Sequence, residues 1–368
     1  MNNNAIYVCS TVRHLLFSLY HSQDKDSNTI SKIVFFYDYQ DVDPKTIDTS
    51  VLPKNIELVL VNRKSLVKHI KKSGFLGRYL LFCSLRNLSI NKKNKNLLMS
   101  LMKEHDNSLD FSHTIKKLYL YNDNNKMSRL FRLLSSSYSM IEDGMGNYVE
   151  HVVNSKPKQL LRYLSNKNPK YHVFGERKQC DDIYAIHPEK LPKTVLHKGK
   201  KLVLSNNKTY ASNVMRCFKF DKSFVLNKKT LIIATQPTLN ILKGKLINSS
   251  FFHEIYDLII SKSKSEGFEP VLKLHPKESE SDYLFFKEKG GSFLSNKQPL
   301  ELYLLSSTDS VNIISINSSA GIGMEEYCNI YKVIPDSEVS NFVDIISQLE
   351  KNKDSLREKI STQLSQMK

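Results

Sequence analysis

Short runs of apolar, β-branched and aromatic residues alternate along the chain with stretches in which apolar residues recur at helical spacing. Such runs are typical of buried strands, and the periodic stretches are typical of amphipathic helices. Strands are predicted in the first half at residues 5–9, 33–37, 56–61, 117–121 and 138–141. Helices are predicted between them at residues 12–20, over most of 65–102 and at 126–134. This alternation favours a parallel sheet covered by helices.

The pattern weakens between about residue 156 and residue 221, where Pro and Lys are scattered, and we predict peripheral strands and a passage between domains there. It then restarts with strands at 230–234, 270–274, 311–316 and 330–334 and helices at 252–263, 300–305, 320–327 and 342–364. We therefore predict an N-terminal domain at 1–222 and a C-terminal domain at 223–368. The last helix, about 340–365, is expected to pack back on the N-terminal domain.

Length and cysteine usage limit the class of protein. A chain of 368 residues is comfortable for two domains of ordinary size. Its cysteines are scattered, which predicts free thiols in a reducing compartment; they are Cys9, Cys83, Cys180, Cys217 and Cys328. The first ten residues do not resemble a signal peptide, and no apolar run reaches the ~18 residues of a membrane-spanning helix. We expect a cytoplasmic protein.

The net charge of +17 would attract polyanions such as nucleic acid, acidic lipid headgroups or anionic polysaccharide. Part of this excess lies in Lys/Asn-rich stretches such as residues 91–96, which compositional drift also explains. No helix-turn-helix, zinc or RNA-recognition motif accompanies the charge, so nucleic acid is not an expected partner. A non-enzymatic polyanion-binding protein remains the remote alternative.

Three polar motifs fall at predicted strand ends, where ligands bind in α/β folds. The first is the run from Glu142, Asp143 and Gly144 to Asn147 and Tyr148. Adjacent acids in a loop are, by themselves, typical of a solvated turn. A carboxyl group with a pKa near ~4.3 becomes a useful base when burial or a like-charged neighbour raises that pKa.

The second motif places Lys273 and His275 on one face of a strand that Pro276 ends. The third places Ser318 and Ser319 where a strand is predicted to give way to a helix, an arrangement that suits an anion. Either motif alone is common in proteins without a ligand. Their order and their positions at strand ends together indicate a phosphate-binding site.

On these motifs the sequence resembles the bacterial sialyltransferases of GT-B fold, in which two Rossmann-like domains face each other across a cleft. Those families share an acidic motif, a later His-Pro motif and a Ser-rich motif, which appear here as Glu142-Asp143-Gly144, His275-Pro276 and Ser318-Ser319. The acidic run is similar to both the capsular polysialyltransferases and the lipooligosaccharide sialyltransferases. The His-Pro-Lys-Glu run followed by a Ser pair favours the polysialyltransferases.

The resemblance implies a role for each matching residue. Glu142 would be the base that deprotonates the acceptor, with Asp143 the less favoured candidate, and His275 would stabilise or protonate the departing CMP phosphate. Ser318 and Ser319 would bind the same phosphate. The further residues expected to bind the donor are Lys273, Glu301, Pro276, Gln236, Gly144 and Asn147.

These roles predict an inverting glycosyltransferase that needs neither metal nor cofactor, since CMP-sialic acid is its donor substrate and no Asp-X-Asp triplet directly follows a predicted strand. The acceptor would be an anionic or galactose-terminated bacterial surface glycan, and capsular polysialic acid synthesis is the favoured outcome. The alternatives are a galactose-directed lipooligosaccharide sialyltransferase and a GT-B transferase using another nucleotide sugar such as CMP-Kdo. Peripheral association with the inner membrane or a capsule-assembly complex is a further expectation.

Overall fold

A computed structural model describes residues 3–23, 29–111, 115–165, 167–204, 207–220, 224, 226–236, 249–275, 278–296, 298–307 and 309–367. The chain divides into two compact units, Met1–Lys219 and Phe220–Lys368. Each unit is built on its own parallel sheet.

The first unit contains a seven-stranded sheet in which all neighbouring strands are parallel. Its strands are β1 (Asn3–Cys9), β2 (Thr29–Phe36), β3 (Ile56–Val61), β4 (Ile115–Leu120), β5 (Tyr138–Ile141), β8 (Cys180–Ala185) and β9 (Gly199–Lys201). Two short strands, β6 (His151–Val152) and β7 (Tyr171–His172), form a separate antiparallel pair. The spatial order is β3-β2-β1-β4-β5-β8-β9, so the chain reverses its direction of travel across the sheet at β1. Ligands bind at such reversal points, beyond the carboxyl ends of the strands.

Seven helices accompany this sheet in the described part of the unit. They are α1 (Val12–Gln23), α2 (Arg63–Lys72), α3 (Gly74–Arg86), α4 (Lys92–His105), α5 (Lys126–Arg132), α6 (Lys156–Leu164) and α7 (Lys208–Cys217). Four of them begin after an asparagine whose side-chain oxygen accepts an N–H of the first turn, namely Asn62, Asn91, Asn125 and Asn207. This capping satisfies amide groups that have no partner within the helix.

The core of the first unit lies between the sheet and its helices. Ile6 and Val8 of β1 are buried together with Val34 and Phe36 of β2. Because helices cover the strands, apolar residues recur along them without strict alternation.

The second unit contains a five-stranded sheet, again parallel throughout, in the order β12-β11-β10-β13-β14. Its strands are β10 (Thr230–Ala234), β11 (Glu269–Lys273), β12 (Ser292–Leu294), β13 (Val311–Ser315) and β14 (Cys328–Lys332). Its described helices are α8 (Ser249–Ser265), α9 (Leu284–Glu288), α10 (Leu300–Ser306), α11 (Phe342–Lys351) and α12 (Lys353–Ser365).

The predicted mixed α/β class with two parallel, Rossmann-like sheets is confirmed. The weakly patterned segment after residue 156 contributes β8 and β9 to the edge of the first sheet. The edge strand β9 has only three residues, of which two lysines are exposed, so its hydrophobic pattern is faint.

The predicted helix at 320–327 is wrong, because residues 320–327 form a succession of turns. Gly321 and Gly323 adopt φ values of +81° and +88°, in the left-handed region that ends a helix. The amide of Met324 bonds back to the carbonyl of Gly321, which closes a tight turn.

The predicted C-terminal helix is divided in two at Asn352, whose side chain caps α12 by accepting the amide of Ser355. Ile346 of α11 and Ile360 of α12 are buried in the core of the second unit. None of the described helices is long and apolar enough to cross a bilayer. All five cysteines are buried free thiols.

Candidate functional site

The polar motif of the first unit lies at the carboxyl ends of three adjacent strands, β1, β4 and β5. The chain leaves β1 into the first turn of α1, which carries Arg13 and His14. It leaves β4 toward Asn122, and leaves β5 directly into Glu142 and Asp143. Parallel strands end at one edge of the sheet, so these side chains, far apart in sequence, meet there.

Glu142 is completely buried, and its carboxylate is turned into the protein. Its Oε2 accepts the backbone amide of Ile186 at 2.8 Å and the hydroxyl of Tyr148. Its Oε1 lies 3.6 Å from Nη2 of Arg13. The carboxylate thus ties β5 to the segment after β8 and to the start of α1, and it presents no surface to a substrate.

Asp143 is the more accessible of the two acids, with 28% of its side chain exposed. Its Oδ1 is bonded to Nε2 of His14, a residue that sequence analysis did not single out. Nδ1 of His14 accepts the amide of Ser10 at 3.2 Å, so the ring proton belongs on Nε2, from which it is donated to Asp143. The imidazole is buried and stacks on the ring of Tyr121, with centroids 4.0 Å apart.

The surroundings of Asp143 hold its carboxyl group in the ionised form. Burial alone would raise its pKa, but the interaction with His14, a hydrogen bond from Asn122 and the charge of Arg13 together bring the pKa below its usual value.

Gly144 and Asn147, both predicted to bind the donor, shape the loop that carries Asp143. Gly144 has a φ of +120°, a conformation that side-chain-bearing residues rarely adopt. Oδ1 of the buried Asn147 accepts the amide of Asp143 at 2.8 Å, and the amide of Asn147 bonds to the carbonyl of Gly144 at 3.1 Å. Together these contacts fix the direction in which the Asp143 carboxylate leaves β5.

The polar motifs of the second unit also lie at the carboxyl ends of adjacent strands, β10, β11 and β13. Lys273, the last residue of β11, is buried, and its ammonium donates to the carbonyl of Ser295 at 2.7 Å. Burial lowers the pKa of Lys273 to about 8, and the charge of buried Glu301 opposes that shift. The structure therefore brings Lys273 and Glu301, predicted as a donor-binding pair, into electrostatic range.

His275 follows β11 and is partly exposed. Its backbone amide donates to the hydroxyl of Thr235 at 2.9 Å and is 3.3 Å from Oε2 of Glu278. Glu278 also accepts the hydroxyls of Thr235 and Tyr283, at 2.5 and 2.9 Å. Thr235 and Glu278, which sequence analysis missed, thus hold the backbone of His275 in place. Pro276 lies outside the described residues.

Gln236, at the end of β10, reaches the serine motif that follows β13. Its Oε1 accepts the amide of Asn317 at 3.1 Å. Ser318 has its amide bonded to the hydroxyl of Ser315 at 3.0 Å and accepts the amide of Ala320 at 3.2 Å through its own hydroxyl. Ser319 is partly exposed in the same loop.

The prediction that the serine motif begins a helix is therefore wrong. Ser318 and Ser319 lie in a loop of turns, so no helix dipole acts on an anion there. Hydroxyl and amide groups remain available at this edge of the sheet. No group of three or more His, Cys, Asp or Glu residues suited to a metal occurs in the part of the chain that the structure describes.

Comparison with known proteins links these motifs to a family. The model of glycosyltransferase family 52 matches residues 80–335. No curated protein sequence gives a significant match.

Solved structures are similar to this chain at low sequence identity. The GT-B domain of a sialyltransferase from Photobacterium damselae is 13% identical, with a TM-score of 0.47, over 98% of this chain and 97% of that one. A UDP-GlcNAc 2-epimerase from Neisseria meningitidis, bound to UDP-GlcNAc, is 12% identical, with a TM-score of 0.42, over 97% and 94%. A UGT transferase from Siraitia grosvenorii, in complex with UDP, is 10% identical, with a TM-score of 0.42, over 99% and 94%.

The family match extends over well more than half of the chain and includes the acidic, histidine and serine motifs. The resemblance predicted from those three motifs is confirmed. The chain belongs to glycosyltransferase family 52, a family of bacterial sialyltransferases.

Proposed function

We propose that this protein transfers sialic acid from CMP-sialic acid to a bacterial surface glycan, with inversion and without a metal ion, and that Asp143 is its general base. The observation that carries the proposal is the partly exposed Asp143 carboxylate at the edge of the sheet, which the hydrogen bond from His14 orients. Full burial and the two hydrogen bonds that Oε2 accepts argue against Glu142 in the same role. The preference between the two acids drawn from the family resemblance is therefore reversed.

In this proposal the acceptor hydroxyl oxygen attacks the anomeric carbon of the donor and gives its proton to Asp143. The bond from that carbon to the phosphate oxygen of CMP breaks, and its electron pair leaves with CMP. Attack opposite to the leaving group inverts the anomeric configuration. A carboxylate that stays ionised at neutral pH is available for this proton in every catalytic cycle.

The second unit would hold the departing CMP phosphate. Lys273 ends β11 and His275 follows it, whereas Ser319 lies in the loop after β13, two strands away in the same sheet. Ammonium, imidazole and hydroxyl groups therefore lie along one edge of the sheet. A buried ammonium and fixed hydrogen-bond donors stabilise the negative charge that develops on a phosphate as it leaves. Gln236, Thr235 and Glu278 would act indirectly, since they position the loops that carry these groups.

The same groups would serve other CMP-linked acids such as CMP-Kdo, so the donor must be identified by assay. The acceptor is proposed as an anionic or galactose-terminated glycan, with polysialic acid synthesis favoured by the local motif pattern. A net charge of +17 supports an anionic acceptor, because attraction of this kind raises the association rate. The lipooligosaccharide alternative predicts a single addition to a terminal galactose.

The experiment is a transfer assay with purified protein, EDTA, and either a sialylated oligosaccharide or a galactose-terminated one. CMP-sialic acid is compared with CMP-Kdo and UDP-sugars as donors. The proposal expects CMP release and a sialylated product from CMP-sialic acid alone, with a ladder if the enzyme polymerises. Turnover of a different donor, or dependence on an added divalent metal, would refute the donor or the metal-independent mechanism respectively.

A further inference from the structure

Helix α3 presents an apolar face to solvent. Its buried side consists of Gly77, Leu80, Cys83 and Ser84, which face the rest of the unit. On the opposite side Phe75, Tyr79 and Phe82 follow one another at helical spacing, and 82% of Phe75 is exposed. Leu76, Leu85 and Leu88 extend this apolar face and are about half exposed. The solvent-exposed surface of a soluble protein seldom carries so many large apolar side chains side by side, and such a patch marks an interaction surface.

The acidic and basic residues close to α3 in sequence are all basic. The segment from Leu58 through Lys103 contains eleven Lys and Arg residues and no Asp or Glu. It includes α2, α3 and α4 up to Lys103. Arg86 lies over the ring of Phe82, with its guanidinium carbon 5.8 Å from the ring centroid. An apolar stripe bordered by cations is the pattern of a helix that lies in the interface of an anionic bilayer.

A basic cavity of about 360 Å³ opens at the carboxyl-terminal end of α3. Leu88 of the apolar face lines it, together with Lys95, Arg129, Arg132 and Arg177. The buried carboxylate of Asp123 lies 3.7 Å from Nε of Arg177. The backbone carbonyl of Asp123 accepts a hydrogen bond from Nη1 of Arg132 at 3.1 Å. Nε of Arg129 is buried and has no hydrogen-bond partner.

The arginines of this cavity repel one another. Burial first, and then the charge of Arg177, lower the pKa of both Arg129 and Arg132. A phosphate in the cavity would offset that repulsion and interact favourably with the guanidinium groups. A headgroup phosphate in the cavity would place its acyl chains beside Leu88 and the apolar face.

A second exposed helix is linked to this cavity. Leu160, Leu161 and Leu164 of α6 are each more than half exposed. Arg162 of the same helix pairs with Glu176 at 2.6 Å, and Glu176 is the neighbour of Arg177 in the cavity wall. The helix α6 is therefore linked, through Glu176, to the segment that carries Arg177.

We propose that the α3 face and the arginine cavity form a docking surface for an anionic phospholipid bilayer. Phe75, Tyr79 and Phe82 enter the acyl region, and the cavity arginines hold a headgroup phosphate. This inference is independent of the sugar that the enzyme transfers. Docking of this kind would keep the enzyme beside acceptors that are carried on membrane lipids.

The test is co-sedimentation of the full chain with phosphatidylcholine vesicles that contain or lack phosphatidylglycerol. Wild type should bind the mixed vesicles and lose binding at high salt. Phe75→Ser combined with Phe82→Ser should weaken binding at least about tenfold, because each Phe gives up apolar burial. The control is Leu284→Ser, because Leu284 lies in the second unit and is about as exposed as Phe82. This variant should bind the vesicles as wild type does.

Arg129→Gln tests the cavity, and its thermal unfolding should match that of wild type. It should lose the preference for phosphatidylglycerol-containing vesicles. If it keeps that preference but loses stabilisation by inorganic phosphate, the cavity takes free phosphate and the headgroup assignment is wrong. A different result would be that wild type binds neither kind of vesicle, and that light scattering shows a dimeric wild type and a monomeric double Phe variant. The face would then be a contact between copies of this chain, and the proposal would be wrong.

Discussion

His14 and Asp143 are 129 positions apart in sequence, yet the imidazole and the carboxylate are directly hydrogen bonded at the edge of the first sheet. The amide of Ser10 fixes the ring from the other side, and Tyr121 stacks on its face. The arrangement resembles a general base with its orienting partner, in which the second residue holds the first in the correct direction and charge state. It also separates the roles of two adjacent acids, since Glu142 is turned inward and Asp143 outward.

Asp143→Asn should abolish most activity without unfolding the protein. An amide cannot accept the acceptor proton, so we expect kcat to fall by roughly 10²–10⁴-fold with little change in the melting temperature. Steady-state kinetics and thermal unfolding measure the two effects. Asp181→Asn, the same change at an exposed acid of this unit, is the control.

Glu142→Gln should act mainly on stability. The change weakens the contact with Arg13 and places an amide among groups arranged for a carboxylate, which costs about 1–3 kcal/mol of unfolding free energy. A normal melting temperature combined with a lost kcat in this variant, and a retained kcat in Asp143→Asn, would instead make Glu142 the base.

His14→Gln should change the pH dependence of the reaction. With the bond to His14 weakened, burial raises the pKa of Asp143, and the acid side of the kcat profile moves to higher pH. We expect kcat near neutral pH to fall by about tenfold or more, with a smaller effect on the acceptor KM. His197→Gln, at an exposed histidine, should leave the profile unchanged. An unaltered profile in His14→Gln would reduce His14 to a packing role.

Lys273 should make stability depend on pH above neutrality. Its pKa in the folded protein is about 8, whereas an unfolded lysine titrates near ~10.4. Between these values the unfolded chain holds a proton that the folded chain has released, so the free energy of unfolding rises with pH by up to about 1.4 kcal/mol per pH unit. Urea unfolding of wild type and Lys273→Met across this range should give diverging curves, and parallel curves would contradict the low pKa.

Gln236→Met should weaken donor binding through the serine loop. The methionine has a similar length but cannot accept the amide of Asn317, so the loop with Ser318 and Ser319 loses one of its supports. We expect the donor KM to rise by about tenfold, in line with a lost hydrogen bond, with kcat largely retained. Gln236→Glu keeps an acceptor oxygen and should hold the loop better. Equal KM values for the two variants would argue against this role of Gln236.

Sequence patterns alone predict the alternation of strands and helices, the two parallel sheets and the family, because each depends on local pattern or on short motifs. Runs such as residues 230–234 are apolar enough to predict a strand, and strand ends mark where polar motifs matter. The turns at 320–327 were mispredicted as a helix because the conformations of Gly321 and Gly323 are not visible in an apolar pattern.

Which of the two acids faces outward follows from the three-dimensional fold and not from the sequence pattern. Glu142 and Asp143 are adjacent and chemically alike, and their directions depend on bonds to Ile186, Tyr148 and His14, which come from other parts of the chain. The partnership of Gln236 with Asn317 is of the same kind. Contacts between residues this far apart follow from the order of strands in the sheet, which brings their carboxyl ends together, and single-sequence patterns carry no record of that order.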